Sequence, residues 1–275
     1  MIIYLYKNFK NLKNIKIIFI KMEKNVFGLI SGGKDSIYNI IKCINNGYKL
    51  IAVGHLSPQQ KIDDKIEIDS YMYQTVGSEL CSSIAECLNV PYITKEIKGK
   101  TINKELNYTE TKNDEVEDLF ELIKEAKEKF PNINAVSSGA ILSTYQKNRI
   151  ENICQRLNLI SLSYLWNMDQ SILLNEMIEN NMNSILIKVC TMGLNKEDLM
   201  KSLKEMKDKL MSLKNKYGVN VCGEGGEYES ITLDCPIYKK RIVIDKYDII
   251  CHSKDIFSPV YYSVIKNWHL ENKMK

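Results

Sequence analysis

The stretch Val26–Ser36 limits the possible folds of this chain more than any other. Its sequence, VFGLISGGKDS, begins with a short apolar run that predicts a buried parallel strand. A glycine-rich turn follows, and then isoleucines at positions 37, 40, 41 and 44 recur at helical spacing. In this order of strand, glycine turn and helix, the N–H groups at the helix start commonly bind phosphate.

The residues of this turn suit an anionic ligand. Glycine allows the backbone to approach an anion closely, and the first N–H groups of a helix lack internal partners. Lys34 adds a mobile positive charge, and the hydroxyls of Ser31 and Ser36 can donate to phosphate oxygens. We therefore expect six consecutive residues to bind a nucleotide: Ser31, Gly32, Gly33, Lys34, Asp35 and Ser36.

The turn nearly matches the Walker A pattern, in which Gly28, Gly33 and Lys34 have the right spacing. Asp35, however, stands where a Ser or Thr would contact magnesium, which argues against a P-loop kinase or GTPase. The hexamer SGGKDS instead resembles the loop of the PP-loop ATP pyrophosphatases. That resemblance implies cleavage of ATP to AMP and pyrophosphate with adenylation of a substrate.

Composition and charge restrict the class of protein. The 275 residues are 44% hydrophobic and 26% charged, which is ordinary for a globular chain. Of the formal net charge of +4, residues 1–24 contribute +5, so the remaining chain carries −1. We therefore expect no direct nucleic-acid partner. No apolar run is long enough to span a bilayer, and we expect no membrane association. We interpret residues 1–24 as a poorly ordered extension; the alternative is a transit-type or membrane-surface segment.

Eight cysteines indicate a reducing compartment. They stand at positions 43, 81, 87, 154, 190, 222, 235 and 251, without a CxxC pair, and several fall on apolar faces. This pattern predicts reduced, mostly buried thiols in a cytoplasmic protein. With only three histidines and no clustered ligands, a structural zinc site is not expected.

Strands and helices alternate from Val26 onward, as is typical of a parallel α/β sheet. Predicted strands cover 26–30, 50–56, 92–97, 135–140 and 161–165, and predicted helices cover 35–45, 70–88, 115–130 and 144–157. We predict a doubly wound, Rossmann-like five-stranded parallel sheet over residues 25–166, with its ligand at the carboxyl ends of the strands. Ser138 and Gly139, at the end of the fourth strand, would leave room for a nucleotide or would serve close packing.

A smaller α+β domain is predicted for residues 167–275. We expect helices at 169–180 and 196–216, strands at 184–189, 241–244 and 247–251, and a polar tail from about residue 267.

This second domain carries the motif GEGGEYE at 223–229. Three glycines in four positions demand an unusual backbone, and three carboxylates in one turn repel each other unless a cation lies beside them. Candidate cations are magnesium–ATP, ammonium or a quaternary ammonium group, for which Tyr228 would supply an aromatic face. The alternative is a solvated acidic turn.

Both motifs together resemble the diphthine–ammonia ligase (diphthamide synthase) family. The resemblance extends from about Val26 to Pro259. It rests on SGGKDS at 31–36, DSYMYQTVG at 69–77, DEVEDLFEL at 114–122, GAILS at 139–143, YLW at 164–166, CGEGGEYE at 222–229 and LDCP at 233–236. Residues 1–24 depart from the family pattern.

The resemblance implies an ATP-dependent reaction on translation elongation factor 2. Diphthine is a modified histidine with a carboxylate and a trimethylammonium group. ATP adenylates the carboxylate with release of pyrophosphate, and ammonia then displaces AMP to give diphthamide. The implied cofactors are ATP and Mg²⁺, and the implied partners are elongation factor 2 and ammonium. Lys34 and the loop N–H groups would stabilise the departing pyrophosphate, and Asp35 would help to hold Mg²⁺.

The resemblance and the carboxylate cluster also motivate a hypothesis for the second motif. Glu224 and Glu227 are expected to face the sheet, where they contact the trimethylammonium group or bind ammonium and assist its deprotonation. Further candidates for substrate contact are Tyr228, Glu229, Arg149 and Tyr73. The last two are weaker, because polar residues on helix surfaces usually need no functional explanation.

Three other functions fit parts of the pattern. A PP-loop tRNA-modifying enzyme fits less well, because the CxxC cysteines and a basic body are missing. A GMP or NAD synthetase would add a glutaminase domain, which nothing in this sequence resembles, so the ammonia is expected to be free. A nucleotide-binding sensor on the same fold would bind ATP without sustained turnover.

Overall fold

The first described segments of the chain form a small strand pair. The computed structural model describes residues 2–5, 17–20, 23–58, 74, 76–255 and 257–273. Strand β1 (Ile2–Leu5) pairs antiparallel with β2 (Ile17–Ile20). Most of the remaining N-terminal extension lies outside the described residues, so its poor order stays a prediction.

Five parallel strands form the larger sheet, and this part of the predicted fold is confirmed. They are β3 (Asn25–Leu29), β4 (Lys49–Ser57), β5 (Tyr92–Glu96), β6 (Ala135–Ser137) and β7 (Ile160–Leu162). Their spatial order is β5-β4-β3-β6-β7, so the chain moves outward from β3 to β5 and then returns to the other side of β3. The loops after β3 and β6 therefore meet at a topological switch point, where open α/β sheets bind ligands.

Four of the described helices accompany this sheet: α1 (Lys34–Asn45), α2 (Cys81–Leu88), α3 (Glu115–Lys129) and α4 (Thr144–Arg156). The isoleucine stripe predicted for α1 is buried, with Ile37 and Ile40 fully enclosed. Asp114 caps α3 by accepting a hydrogen bond from the N–H of Val116 at 3.0 Å. None of the described helices is both long and apolar enough to cross a membrane.

The helix predicted over 70–88 is shorter in the structure. Residues 70–73 and 75 lie outside the described residues. Val76 and Gly77 form a turn in which Gly77 has φ +79°, and α2 begins only at Cys81. The apolar spacing predicted a continuous helix here, but a left-handed glycine interrupts helical geometry.

The smaller unit is a four-stranded antiparallel sheet with two long helices. It contains α5 (Gln170–Glu179), β8 (Asn183–Val189), α6 (Leu203–Tyr217), β9 (Tyr228–Asp234), β10 (Lys240–Ser253) and β11 (Val260–Asn272). The spatial order is β10-β11-β8-β9. The predicted α/β class with a smaller α+β unit is thus confirmed. One apolar core includes residues of both units, for example Ile37 and Leu186, and the predicted boundary near residue 166 stays a prediction.

The single helix predicted over 196–216 is wrong. A 3-10 turn (Lys196–Asp198) is separated from α6 by Met200, which has φ +64°. The reason is tertiary: Met200 donates its N–H to the Leu186 carbonyl at 2.7 Å, and Leu186 donates to Lys201 at 2.9 Å. This pairing with β8 pulls the chain out of helical geometry, and α6 restarts after its N-cap Ser202.

The polar tail predicted from residue 267 is also wrong, because β11 continues to Asn272. It pairs with β10 along its length, and Trp268 donates from Nε1 to Ser83 Oγ at 2.9 Å. The two strands predicted at 241–244 and 247–251 are one strand with bulges around Lys246. Polar composition misled the prediction, since a two-stranded ribbon tolerates polar side chains on its solvent-facing side.

The buried side chain of Asn39 joins helix α1 to the far edge of the large sheet. Its Nδ2 donates to Ser137 Oγ at 2.7 Å and to the Leu162 carbonyl at 2.8 Å. Its Oδ1 accepts from the Tyr164 N–H at 2.7 Å. Asn39 therefore satisfies three polar groups where no water reaches.

We expect Asn39→Ala to lower the free energy of unfolding by about 2–4 kcal/mol, because its former partners are left unpaired in the core. Urea unfolding followed by circular dichroism measures this change. The matched control is Asn45→Ala, at the exposed end of the same helix, which should stay within about 0.5 kcal/mol of the wild type. Equal stabilities of the two variants would contradict the role of Asn39.

Candidate active site

A cavity of about 380 Å³ lies at the carboxyl ends of β3, β4 and β6 and is closed on one side by the second unit. Many of the predicted site residues line it: Ser31, Lys34, Asp35, Ser36, Ser138, Gly139, Glu224, Tyr228 and Glu229. The two sequence motifs, about 190 positions apart in the chain, therefore face one space. Gly32, Gly33, Glu227 and Arg149 do not line it, and Tyr73 lies outside the described residues.

The glycine turn is shaped by contacts on both of its sides. Gly32 has φ +85°, and a Cβ at this position would lie 2.5 Å from the Ile231 side chain. The Gly32 carbonyl accepts from the Thr232 N–H at 2.9 Å, so the turn lies against the outer edge of β9. Within the turn, Ser31 Oγ accepts from the Gly33 N–H at 3.3 Å. A side chain at Gly32 would push the turn off this edge.

Gly139 serves the close packing considered for it, and the room it would leave for a nucleotide stays a prediction. It lines the cavity, and a Cβ there would lie 2.6 Å from the backbone nitrogen of Ser36. The segment after β6 therefore approaches the first turn of α1 so closely that no side chain fits at position 139. Neighbouring Ser138 also lines the cavity and shares a 2.9 Å hydrogen bond with Ser163 Oγ.

Lys34 is almost fully buried, with 3% of its side chain exposed. Its ammonium donates to Asp35 Oδ2 at 2.9 Å and to the Cys222 carbonyl, and it lies 4.8 Å from the centre of the Tyr228 ring. Burial alone would lower the pKa of Lys34, but Asp35 and the polar groups of Tyr228 and Cys222 outweigh it and hold that pKa above its ordinary value. Lys34 is therefore a permanent positive charge at the cavity wall.

Asp35 keeps one carboxylate oxygen unused. Oδ2 pairs with Lys34, whereas Oδ1 is buried and has no hydrogen-bond partner in the structure. Burial raises the pKa of Asp35, Lys34 opposes the rise, and nearby Glu224 adds to it. An orphaned carboxylate oxygen beside a phosphate-type loop fits Mg²⁺, which is commonly held by one or two carboxylates together with substrate phosphates. Within the described part of the chain, no group of three or more metal-binding side chains occurs.

Glu224 crosses from the second unit to the large sheet, as predicted, but its contact there is with backbone. One oxygen, Oε1, accepts from three successive N–H groups, those of Ile141, Leu142 and Ser143, at 3.3, 2.8 and 3.0 Å. These residues precede helix α4, so a negative charge here also favours the helix start. Glu224 thus fastens the second motif to the loop after β6.

The geometry does not support the expected contact of Glu227 with a substrate. Its Oε1 accepts from the backbone and side-chain N–H groups of Asn220 at 2.9 and 2.8 Å. Its Oε2 accepts from the Gly225 N–H at 2.8 Å. Both oxygens are used within the motif's own turn, outside the cavity lining, so Glu227 shapes the loop.

Tyr228 and Glu229 both line the cavity, with different environments. The Tyr228 hydroxyl donates to the Val221 carbonyl at 2.7 Å, and its ring is already beside the Lys34 ammonium. The aromatic face predicted for a quaternary ammonium therefore faces an internal cation instead. Glu229 pairs with Lys188 at 2.9 Å through Oε1, while its buried Oε2 accepts no hydrogen bond within the described part of the chain. Burial raises the pKa of Glu229, although Lys188 opposes the rise.

Arg149 holds a loop and lies away from the cavity. Its fully buried guanidinium donates to the carbonyls of Tyr145, Asn103 and Glu105 at 3.1, 2.7 and 3.1 Å. It thereby anchors the 100–113 connection to α4. The weaker functional interpretation of Arg149 has no support in this geometry.

Sequence reasoning missed His55 and Gln74, which also line the cavity. Gln74 donates from Nε2 to the Ser230 carbonyl at 3.0 Å and so helps to join the two units. His55 lies near the end of β4, beside the glycine turn. Its position near the carboxyl end of the strand next to β3 was a usable signal, because ligands of such sheets bind at those ends. A wall of apolar side chains completes the cavity: Leu29, Leu56, Leu119, Leu122 and Ile150.

Two family models match most of the chain. A family model described as the diphthamide synthase N-terminal domain matches residues 24–161, and the corresponding C-terminal domain model matches residues 169–267. The curated diphthine–ammonia ligase of Mus musculus is 49% identical over 250 residues, which cover 90% of this chain and 93% of the relative. The Homo sapiens protein of that name is 47% identical with the same coverage.

A fungal relative is longer. The diphthine–ammonia ligase of Schizosaccharomyces pombe is 50% identical over 228 residues, which cover 83% of this chain but 37% of the relative. The matched ranges of the two domain models contain both motifs of the cavity. The chain therefore belongs to the diphthine–ammonia ligase, or diphthamide synthase, family.

Proposed function

We propose that this protein uses ATP and ammonia to convert the diphthine of elongation factor 2 into diphthamide, releasing AMP and pyrophosphate. The observation that carries this proposal is the single cavity that the SGGKDS turn and the GEGGEYE motif share. Family membership supports it, since the named relatives are diphthine–ammonia ligases.

The first step is adenylation of the acceptor. A carboxylate oxygen of diphthine attacks the α-phosphorus of ATP, and the bond to the pyrophosphate oxygen breaks. Negative charge grows on the departing pyrophosphate, so fixed positive groups lower the barrier. Lys34 is such a group: it exchanges the Cys222 carbonyl for phosphate oxygens, while Asp35 keeps it oriented. The N–H groups of Asp35 and Ser36 would complete the cradle, because the Lys34 N–H already donates to Ser230 Oγ. The hydroxyls of Ser31 and Ser36 would join it by exchanging their present acceptors, Gln74 Oε1 and the Gly33 carbonyl, for phosphate oxygens.

Mg²⁺ fits at Asp35, whose Oδ1 has no other partner in the structure. Bound there with the nucleotide, the ion would neutralise part of the phosphate charge. Asp35 would then hold both the ion and Lys34 through its two oxygens.

The second step is attack of ammonia on the acyl-adenylate carbonyl. A C–N bond forms, the C–O bond to AMP breaks, and the nitrogen loses a proton. We assign the ammonium contact to Glu229, because this residue lines the cavity and its Oε2 accepts no hydrogen bond from the described residues. Its raised pKa also makes it a better proton acceptor than an ordinary carboxylate. The second oxygen of Glu224 is our candidate for the trimethylammonium group, since Oε1 is already used by backbone.

We place this reaction in the cytoplasm. All eight cysteines are free thiols, and six of them are buried. Free buried thiols are typical of proteins in reducing compartments.

We expect Lys34→Met to reduce amide formation by roughly 10²–10³-fold or more, because the charge that stabilises the departing pyrophosphate is lost. The assay incubates diphthine-bearing elongation factor 2 with the protein, magnesium–ATP and ammonium, and measures the histidine peptide by mass spectrometry. The matched control is Lys42→Met on the same helix, which pairs with Glu176 away from the cavity. An ATP-dependent change from carboxylate to amide that persists in the Lys34 variant would contradict the role of Lys34.

We expect Glu229→Gln to raise the KM for ammonium at least about tenfold while ATP binding stays near that of the wild type. Initial rates of AMP release over a range of ammonium concentrations measure the effect. Glu227→Gln is the comparison, because its carboxylate lies outside the cavity, and its KM for ammonium should be unchanged. If only the Glu227 variant had a raised KM for ammonium, Glu229 would not bind ammonium, and the sequence-based hypothesis that Glu227 does so would be supported.

We expect Asp35→Asn to raise the magnesium concentration needed for half-maximal ATP binding about tenfold, since a neutral amide oxygen is a poorer Mg²⁺ ligand. Titration calorimetry of ATP at several magnesium concentrations provides the measurement. Asp208→Asn, on the exposed face of α6, is the control of equal charge change. An unchanged magnesium dependence in the Asp35 variant would remove Asp35 from the ion site.

A further inference from the structure

His55 has a hydrogen-bonding group that the proposed reaction does not use. Its side chain is buried, with 4% exposed, and it lines the cavity near the end of β4. Nδ1 lies 2.9 Å from the Ile30 carbonyl oxygen. A carbonyl can only accept, so Nδ1 carries the hydrogen in this contact.

The other ring nitrogen is therefore an acceptor. Burial lowers the pKa of His55, so the ring is neutral at physiological pH, and a neutral imidazole has one donor and one acceptor nitrogen. With the hydrogen on Nδ1, the lone pair is on Nε2. The structure thus fixes the tautomer through a single backbone contact.

Nε2 is buried and has no hydrogen-bond partner among the residues that the structure describes. Buried polar atoms of native proteins are nearly always paired, so an unpaired one on a residue that lines a cavity points to a ligand group. The missing partner must be a donor, because Nε2 itself has no hydrogen to give.

The residues around His55 indicate which kind of ligand would donate a hydrogen bond to Nε2. One side of the cavity is the phosphate-type turn with Lys34, and another is the apolar wall of Leu29, Leu56, Leu119, Leu122 and Ile150. A ligand with phosphates and a flat, largely apolar ring matches both sides. Among purine rings, adenine presents an amino group at position 6, whereas guanine presents a carbonyl oxygen there. A hydrogen-bond acceptor such as Nε2 accommodates the amino group of adenine and repels the carbonyl oxygen of guanine.

We propose that His55 is a specificity-determining residue, whose neutral Nε2 accepts a hydrogen bond from the 6-amino group of adenine and selects ATP over GTP. This inference rests on the proposed nucleotide site and adds to it a residue that selects the base. The Ile30 contact acts through the ring, because it holds the hydrogen on Nδ1 and so keeps Nε2 free to accept.

The test compares nucleotides and variants in one binding experiment that needs no acceptor protein. Titration calorimetry measures the Kd of magnesium–ATP and of purine riboside 5′-triphosphate, which lacks the 6-amino group. We expect the wild type to bind ATP roughly tenfold more tightly, as one neutral hydrogen bond allows. In His55→Leu this preference should fall to about one. The exposed His252, on β10, provides the matched control His252→Leu, which should keep the wild-type preference.

A second variant separates the acceptor from simple packing. Gln in place of His55 can accept from adenine through its carbonyl or donate to guanine through its amide. His55→Gln should therefore retain a preference for ATP over purine riboside triphosphate but lose discrimination against GTP. This variant also keeps the test valid if His55→Leu does not fold.

The outcomes distinguish this inference from the proposed function. If the wild type and His55→Leu bind ATP with the same preference over the analogue, His55 does not contact the amino group and the inference is wrong. It is equally wrong if His55→Leu instead loses a preference for ATP over 2′-deoxyATP or 3′-deoxyATP, because the donor would then be a ribose hydroxyl. If the wild type binds no nucleotide at all, the proposed function fails together with the inference.

Discussion

The burial of one ammonium group, that of Lys34, is the constraint on which the arrangement of this protein depends. A charge removed from water is tolerated only with close partners. Asp35 comes from the same helix, whereas the Cys222 carbonyl and the Tyr228 ring come from the second unit. The lysine is therefore fully compensated only when the two units are in contact. The two motifs therefore depend on each other: the first contributes the buried charge of Lys34, and the second contributes the carbonyl and the aromatic ring that stabilise it.

The backbone reinforces this contact. Strand β9 is the outermost strand of the smaller sheet, and its free edge is occupied by the glycine turn through the bond from Thr232 to Gly32. The Lys34 N–H donates to Ser230 Oγ at 3.2 Å, and Glu224 bonds three N–H groups after β6. An exposed sheet edge is thereby covered, and the glycine turn is held in shape by contacts within the protein.

The acidic motif shows how environment assigns different tasks to the same side chain. Glu227 uses both oxygens within its own turn, and Glu224 uses one oxygen to hold the loop before α4. Glu229 is left with an unpaired oxygen in the cavity and a raised pKa. Backbone N–H groups and Lys188 pair with these carboxylates and so relieve the repulsion between their like charges. Most carboxylate oxygens of the motif therefore have structural roles, and the unpaired oxygen of Glu229 is available for chemistry.

Local patterns were enough to predict the parallel sheet and the glycine turn, because apolar periodicity and glycine spacing are local properties of the chain. The phosphate contact of Lys34 that they also predict is part of the proposed function. Strand topology placed Ser138 and Gly139 at the ligand crevice. The family resemblance, together with the clustering of carboxylates, placed the acidic motif opposite the sheet. Other features depend on contacts between parts of the chain that are distant in sequence. The break at Met200 and the strand that continues through Asn267 depend on pairing with distant strands. The structural roles of Glu227 and Arg149, and the unpaired Nε2 of His55, depend on which neighbours the fold brings within hydrogen-bonding distance. A local pattern states what a side chain is able to do, whereas the packed structure decides which of its atoms remain free to do it.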